Sequence, residues 1–209
     1  MNALIIGDSQ TWGIGGALKG LLEAQGFTVT MERHSGWGTK KLLGLAANLT
    51  DRASYQRVYI QTGGNDYVAE PASLVELIKL FPSAAVTVIS LPPATSITNL
   101  KIAKKAFGAK VKTAEHWFQS SFAAKREQKN AAYKAASKGV AAYVDVRTLG
   151  IPGHVQPTGV IFPNQPDGIH VKGDTAAQVA SKTLEYSEGA NLFWFGAALV
   201  GFILFTRIK

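Results

Sequence analysis

Ser9 stands in Gly7-Asp8-Ser9-Gln10, directly after the short apolar run Ala3–Ile6. Two more small, polar, glycine-bracketed clusters follow runs of the same kind: Ser35-Gly36-Trp37-Gly38 after Phe27–Met31, and Gly63-Gly64-Asn65-Asp66 after Val58–Gln61. Far along the chain comes Asp167-Gly168-Ile169-His170. With two residues between the acid and the histidine, both side chains can reach one site from a single turn. A hydroxyl, an imidazole, a carboxylate and potential oxyanion donors are the parts that covalent acyl transfer needs, because a serine hydroxyl attacks well only when an imidazole takes its proton and an acceptor holds that imidazole in one tautomer. The chain has no cysteine, which removes a thiol nucleophile, a disulfide framework and a thiolate zinc site from consideration.

The elements that must position these groups are legible as a pattern. Strand-like runs recur at Ala3–Ile6, Phe27–Met31, Val58–Gln61, Ala85–Ser90 and Ala141–Val146, and helix-length segments separate them around Gly16–Ala24, Thr39–Leu49, Ala72–Leu80 and Thr113–Ala136. A further helical pattern runs from Asp174 to Tyr186. Strands alternating with helices predict an α/β fold, a three-layer α/β/α sandwich on a parallel sheet. In such sheets ligands collect outside the carboxyl ends of the strands, which is where the three clusters fall. Residues 1–187 read as one catalytic domain and residues 188–209 as an appendage, with the boundary near Tyr186 to Gly189.

GDSQ, the glycine of HSGWGT, GGND and DGIH come in the order and approximate spacing of the four blocks of the SGNH hydrolases, the GDSL esterase/lipase family, and Met1 to about Tyr186 resembles that family. The resemblance implies a flavodoxin-like sheet of order 2-1-3-4-5, with Ser9 as nucleophile, His170 as general base and Asp167 as the residue that orients it. The Ser9 amide, the Gly36 amide and the Asn65 side chain would form the oxyanion hole. Gln10 stands where the family's name motif has Leu, which leaves the nucleophile untouched. Asp145, ending the fifth strand, is the alternative acid. Trp12 and Trp37 flank the expected site and offer flat walls for a sugar ring or acyl chain. Asp8 and Asp66 read as acceptors for nearby backbone. His34, His116 and His154 have no ligand-like spacing, so neither a metal nor any other cofactor is expected.

The formal charge of +8 is local: Lys101–Lys138 carries ten basic and two acidic residues, and the remainder balances at twelve of each. That segment, interleaved with alanines and aromatics, reads as an amphipathic helix with a solvated basic face, or as a contact for an anionic surface such as lipid headgroups or acidic glycan. No nucleic-acid motif accompanies it, so no nucleic-acid partner is expected. The amino terminus enters its first strand without a basic leader, so no cleavable signal is expected. Gly189–Thr206 holds no charged side chain and is followed by Arg207 and Lys209. As a helix these 18 residues would reach roughly 27 Å, close to a bilayer's hydrocarbon core, with Trp194 near one interface and the two basic residues at the other. They predict a single-pass transmembrane helix in the membrane of a cell or virion. The sequence therefore predicts a membrane-anchored serine esterase that removes acetyl or another short acyl group from a carbohydrate such as cell-wall or surface polysaccharide. A lysophospholipase or thioesterase, and an idle scaffold used in membrane or virion assembly, are the alternatives.

Overall fold

The computed structural model describes residues 1–92, 124–151, 171 and 173–206; the side chains of 124, 125 and 190–206, like every other residue, lie outside the description. Five strands, β1 (Asn2–Gly7), β2 (Thr28–Arg33), β3 (Tyr55–Gln61), β4 (Ala85–Ile89) and β5 (Ala142–Val144), form one parallel sheet of order 2-1-3-4-5. The helices are α1 (Thr11–Ala24), α2 (Thr39–Ala47), α3 (Pro71–Lys79), α4 (Ala124–Ser137) and α5 (Gly173–Thr206).

Strand alternation divides the core. Ala3 and Ile5 face α1 and α5, where Ile14, Leu18, Leu22, Val179, Ala180 and Leu184 close one layer. Leu4 and Ile6 face the opposite way, onto Leu42 and Ala46 of α2, Leu74, Leu77 and Ile78 of α3 and Tyr133 of α4. Because β1 is buried on both faces, it reads as a continuous apolar run; β2, at the sheet edge, is only half-buried. Gly7 of β1 is level with Arg33 of β2 and Gln61 of β3, so the loops after these strands start side by side at one edge.

α1 and α5 differ from expectation. α1 begins at Thr11, five residues before the helix predicted at Gly16. Glycines 13, 15 and 16 suggest a loop, but Gly13 is a packing requirement: a Cβ there would come 1.9 Å from the carbonyl oxygen of Val171. Of the helix expected over Thr113–Ala136, α4 supplies the described part and ends at Ser137, whereas 113–123 lie outside the described residues. α5 passes through the Tyr186–Gly189 boundary without a break and reaches Thr206 as a 34-residue helix. Among its described side chains, those in contact with the domain include Ser187, whose hydroxyl is 3.3 Å from that of Tyr59, and Glu188, which accepts from Arg57 (3.3 Å) and Gln25 (3.2 Å). Among the described residues no helix is long and apolar enough to cross a membrane; the side chains of 190–206 are not among them.

Candidate active site

Ser9 occupies the turn between β1 and α1. The turn is tied by the Gln10 amide donating to Asp8 Oδ1 (2.8 Å), the Thr11 amide to the Asp8 carbonyl (3.2 Å) and the Trp12 amide to the Ser9 carbonyl (3.3 Å). Gly36 lies in the loop after β2, with φ of +79°, and Asn65 in the loop after β3. Asn65 Nδ2 donates to the carbonyl of Trp37 at 3.2 Å, which links these two loops. A primary amide carries two N–H donors, so one remains for an acceptor outside this contact.

Behind the loops lies a buried polar frame. Asp8 is fully buried, and its second oxygen accepts from the Gly64 amide at 2.8 Å, so one carboxylate spans the first and third clusters. Burial pushes its pKa up to about 6, against the lowering effect of the Gln10 and Gly64 amides and of the Arg126 charge. Asp66 accepts from the Thr39 amide (2.8 Å), from the Thr39 hydroxyl (2.5 Å) and from the Tyr133 hydroxyl, which joins the third cluster to the start of α2 and to α4. Burial and the bond to Asp66 raise the Tyr133 pKa, so the phenol stays neutral and donating. Lys129, 4% exposed, donates to the carbonyls of Gly63 (2.7 Å) and Asp66 (3.0 Å), the residues at the two ends of the GGND turn. Gly63, at φ +100°, fits here because a Cβ would lie 2.4 Å from the Tyr133 ring.

Both carboxylates thus accept backbone N–H groups, as their sequence context suggests. Lys129 and Arg126 correct the picture of a uniformly solvated basic face: in α4 both are buried, Arg126 donating to the Pro92 carbonyl and Lys129 to the GGND turn, while Lys134 and Lys138 are exposed. Among the helix's described side chains, Arg126, Lys129, Asn130, Tyr133 and Ser137 are buried and recur at helical intervals, in an alanine-rich segment with no apolar stripe to bury instead.

Asp145 has its own partner. Arg147 donates to Asp145 through Nε (2.7 Å) and Nη2 (2.5 Å), and although burial acts to raise the carboxyl pKa, these bonds and the arginine charge hold it low. Trp12 is 51% exposed and so no core residue, but it is not a bare wall, because the Arg33 guanidinium lies 3.9 Å from its ring centroid. Trp37 is half-buried and stacks on His34 at 4.2 Å, while His34 Nε2 lies 3.0 Å from Glu32. Tyr67 and Val68, after the GGND turn, are 82% and 59% exposed and form an apolar rim that sequence reasoning missed. Asp167 and His170 lie outside the described residues, as do His116 and His154. Val171, the residue after His170, is buried against Gly13 in the first turn of α1. Among the described residues no group of histidines and carboxylates is arranged to hold a metal ion.

No protein-family model and no curated protein matches the sequence. Solved structures do match. A lipase/acylhydrolase from Enterococcus faecalis is 15% identical over 90% of this chain and 95% of its own, with a TM-score of 0.59. A GDSL-like lipase from Bacteroides thetaiotaomicron is 17% identical over 90% of this chain and 88% of its own, with a TM-score of 0.56. An acetyl-xylooligosaccharide esterase from Geobacillus is 14% identical over 89% of this chain and 93% of its own, with a TM-score of 0.60. With its 2-1-3-4-5 parallel sheet and its glycine-bracketed clusters at the ends of β1, β2 and β3, the chain has the fold of the GDSL-like lipases and esterases, the SGNH hydrolase fold.

Proposed function

We propose that the chain is a serine esterase that cleaves short acyl esters carried on a carbohydrate. The observation that carries this reading is the alignment of the ends of β1, β2 and β3, from which the Ser9 turn, the Gly36 loop and the Asn65 turn emerge next to one another. In the reaction, Ser9 Oγ attacks the ester carbonyl while His170, oriented by Asp167, takes the hydroxyl proton. The carbonyl π electrons become the charge of an oxyanion, which accepts hydrogen bonds from the Ser9 and Gly36 amides and from the second Asn65 N–H. Collapse breaks the bond to the sugar oxygen, which leaves with the proton from His170. Water, deprotonated by the same imidazole, then cleaves the acyl-serine to free acid and restores Ser9. The burial of Val171 against Gly13, one turn beyond Ser9, supports His170 as the base, since consecutive Cα atoms are only about 3.8 Å apart.

The preference for short chains rests on how little sequence lies between the first three clusters: among the described residues α1 fills the stretch from Ser9 to β2, and α3 the stretch from Asn65 to β4, and these two stretches leave little sequence for a lid over a long acyl group. The expected result is ready hydrolysis of p-nitrophenyl acetate and butyrate with a steep fall by octanoate. A profile rising toward long chains would replace this substrate with a lipid, and no hydrolysis at any length would leave an idle scaffold.

The same reading holds the domain at a membrane through 189–206, whose uncharged sequence continues the helix α5. Truncation after Glu188 keeps the contacts of Ser187 and Glu188 and should yield an active domain that no longer sediments with liposomes. Equal sedimentation of both forms would refute the anchor.

A further inference from the structure

The geometry points to Arg33 as a docking group for a carboxylate on the substrate, which makes the substrate an acylated acidic saccharide of the uronate type; this rests on the esterase reading above. Five arginines have described side chains, and four of them donate to protein acceptors: Arg52 to the Ala46 carbonyl, Arg57 to Glu188, Arg126 to the Pro92 carbonyl and Arg147 to Asp145. Arg33 differs. Its guanidinium lies over the Trp12 ring, 3.9 Å from the centroid, and among the described residues it has neither a hydrogen bond nor a carboxylate partner. The neighbouring acid, Glu32, points to the other face of the strand and is paired with His34.

Its place makes this meaningful. Arg33 is the last residue of β2, level with Gly7. The ring beneath it spans the two loops that the reaction uses: the Trp12 amide donates to the Ser9 carbonyl at 3.3 Å, and Trp12 Nε1 donates to the Ser35 hydroxyl, beside Gly36, at 3.1 Å. A guanidinium resting on an indole is held by cation–π attraction while its in-plane N–H edges stay open, and that planar fork matches a carboxylate through two parallel bonds. Stacking also lowers the entropy lost on binding, because the long side chain is already restrained. Outside Lys101–Lys138 the chain is electrically balanced, so a preference for an anion at this rim would come from a specific group and not from a general positive field.

The test uses the full chain in detergent and compares kcat/KM for acetate release from O-acetylated oligogalacturonate with that from the same oligosaccharide methyl-esterified at its carboxyl groups. The acid form should be favoured roughly tenfold, as one charge-assisted contact at a half-open site would give, and the advantage should shrink as salt rises from about 50 to 500 mM. Arg33→Gln should bring the ratio near one, with Arg33→Lys between the two. Oligogalacturonate should also bind the Ser9→Ala variant more tightly than it binds the Ser9→Ala, Arg33→Gln pair, a readout that needs no turnover. A parent that hydrolyses p-nitrophenyl acetate but shows a ratio of one, or an Arg33→Gln variant that keeps the parent ratio, overturns the docking role alone. A parent that hydrolyses neither p-nitrophenyl acetate nor either saccharide overturns the esterase reading and the docking role with it.

Discussion

The two sides of the candidate site are built from opposite materials. On the β3 side the GGND turn is backed by Asp8, Lys129, Tyr133 and Thr39, whose polar atoms are buried and bonded to one another or to backbone. On the β2 side the contacts are Arg33 on Trp12, Trp12 on Ser35 and His34 on Trp37, all at half-buried or exposed positions. Buried hydrogen bonds fix geometry because breaking one leaves a desolvated group unpaired. Exposed ring and charge contacts cost little to rearrange, so they can exchange the protein for a ligand. In the proposed esterase the difference assigns two tasks: the inner wall would set where the oxyanion donors stand, and the outer rim would select what is presented to Ser9.

Changes at the nucleophile should outweigh changes on either wall. Ser9→Ala should lower ester turnover by several orders of magnitude with an unchanged melting temperature, and a fluorophosphonate should label the parent and spare the variant. Asn65→Ala, which removes one of the proposed oxyanion donors, should lose about a hundredfold to a thousandfold in kcat. Parent-level turnover in Ser9→Ala would end the mechanism.

The inner wall should fail as a unit. Lys129→Met removes the donor to two carbonyls at the ends of the GGND turn, and leaving buried acceptors unmet costs about 1 to 3 kcal/mol. The variant should therefore show a lower urea midpoint together with a kcat about tenfold down, while KM for p-nitrophenyl acetate barely moves, since Asn65 loses its placement and the binding rim is intact. A loss of stability with no loss of kcat would make Lys129 a purely structural residue.

Asp8 allows the same wall to be probed by pH. Its folded pKa of about 6 lies above the ordinary 3.8, so between those values the folded chain holds a proton that the unfolded chain has released. Its contribution is fully present below about pH 4 and is lost as pH rises through 6, a change on the order of 3 kcal/mol. The stability difference between the parent and Asp8→Asn should accordingly move against the parent between pH 4 and 6.5. A difference that stays flat would mean that Asp8 titrates normally.

How far the sequence reveals these walls follows from the physics of each. Strands were legible because β1, β3 and β4 are buried apolar runs ending in glycine or a polar turn, and the four blocks, by resemblance, carried the sheet order. The start of α1 was not, because the glycine that makes room for the Val171 carbonyl resembles the glycine of a loop. Nor was the inner wall: Arg126 and Lys129 look like solvent-facing charges until α4 packs beside α3 and the sheet edge, where carbonyls from distant loops meet them. Polar burial depends on partners far away in sequence, whereas apolar burial leaves a local period.

The outer rim should give the smallest effect, and that smallness is what separates it from the inner wall. Trp12 is 51% exposed and none of the described contacts of its ring is buried: Arg33 is an exposed side chain, and the bond to Ser35 is open to water. Trp12→Ala should consequently change folding stability by less than about 1 kcal/mol, the range of surface substitutions away from caps and buried networks. The hydrolysis of p-nitrophenyl acetate, which is too small to span the rim, should keep its kcat. The ring's loss should be felt by a saccharide substrate as a KM severalfold higher at constant kcat, because the ring and the guanidinium it supports bind ground state and transition state alike. A kcat that falls as far as in Lys129→Met would show that the rim also places the reacting groups, and the division between the two walls would not stand.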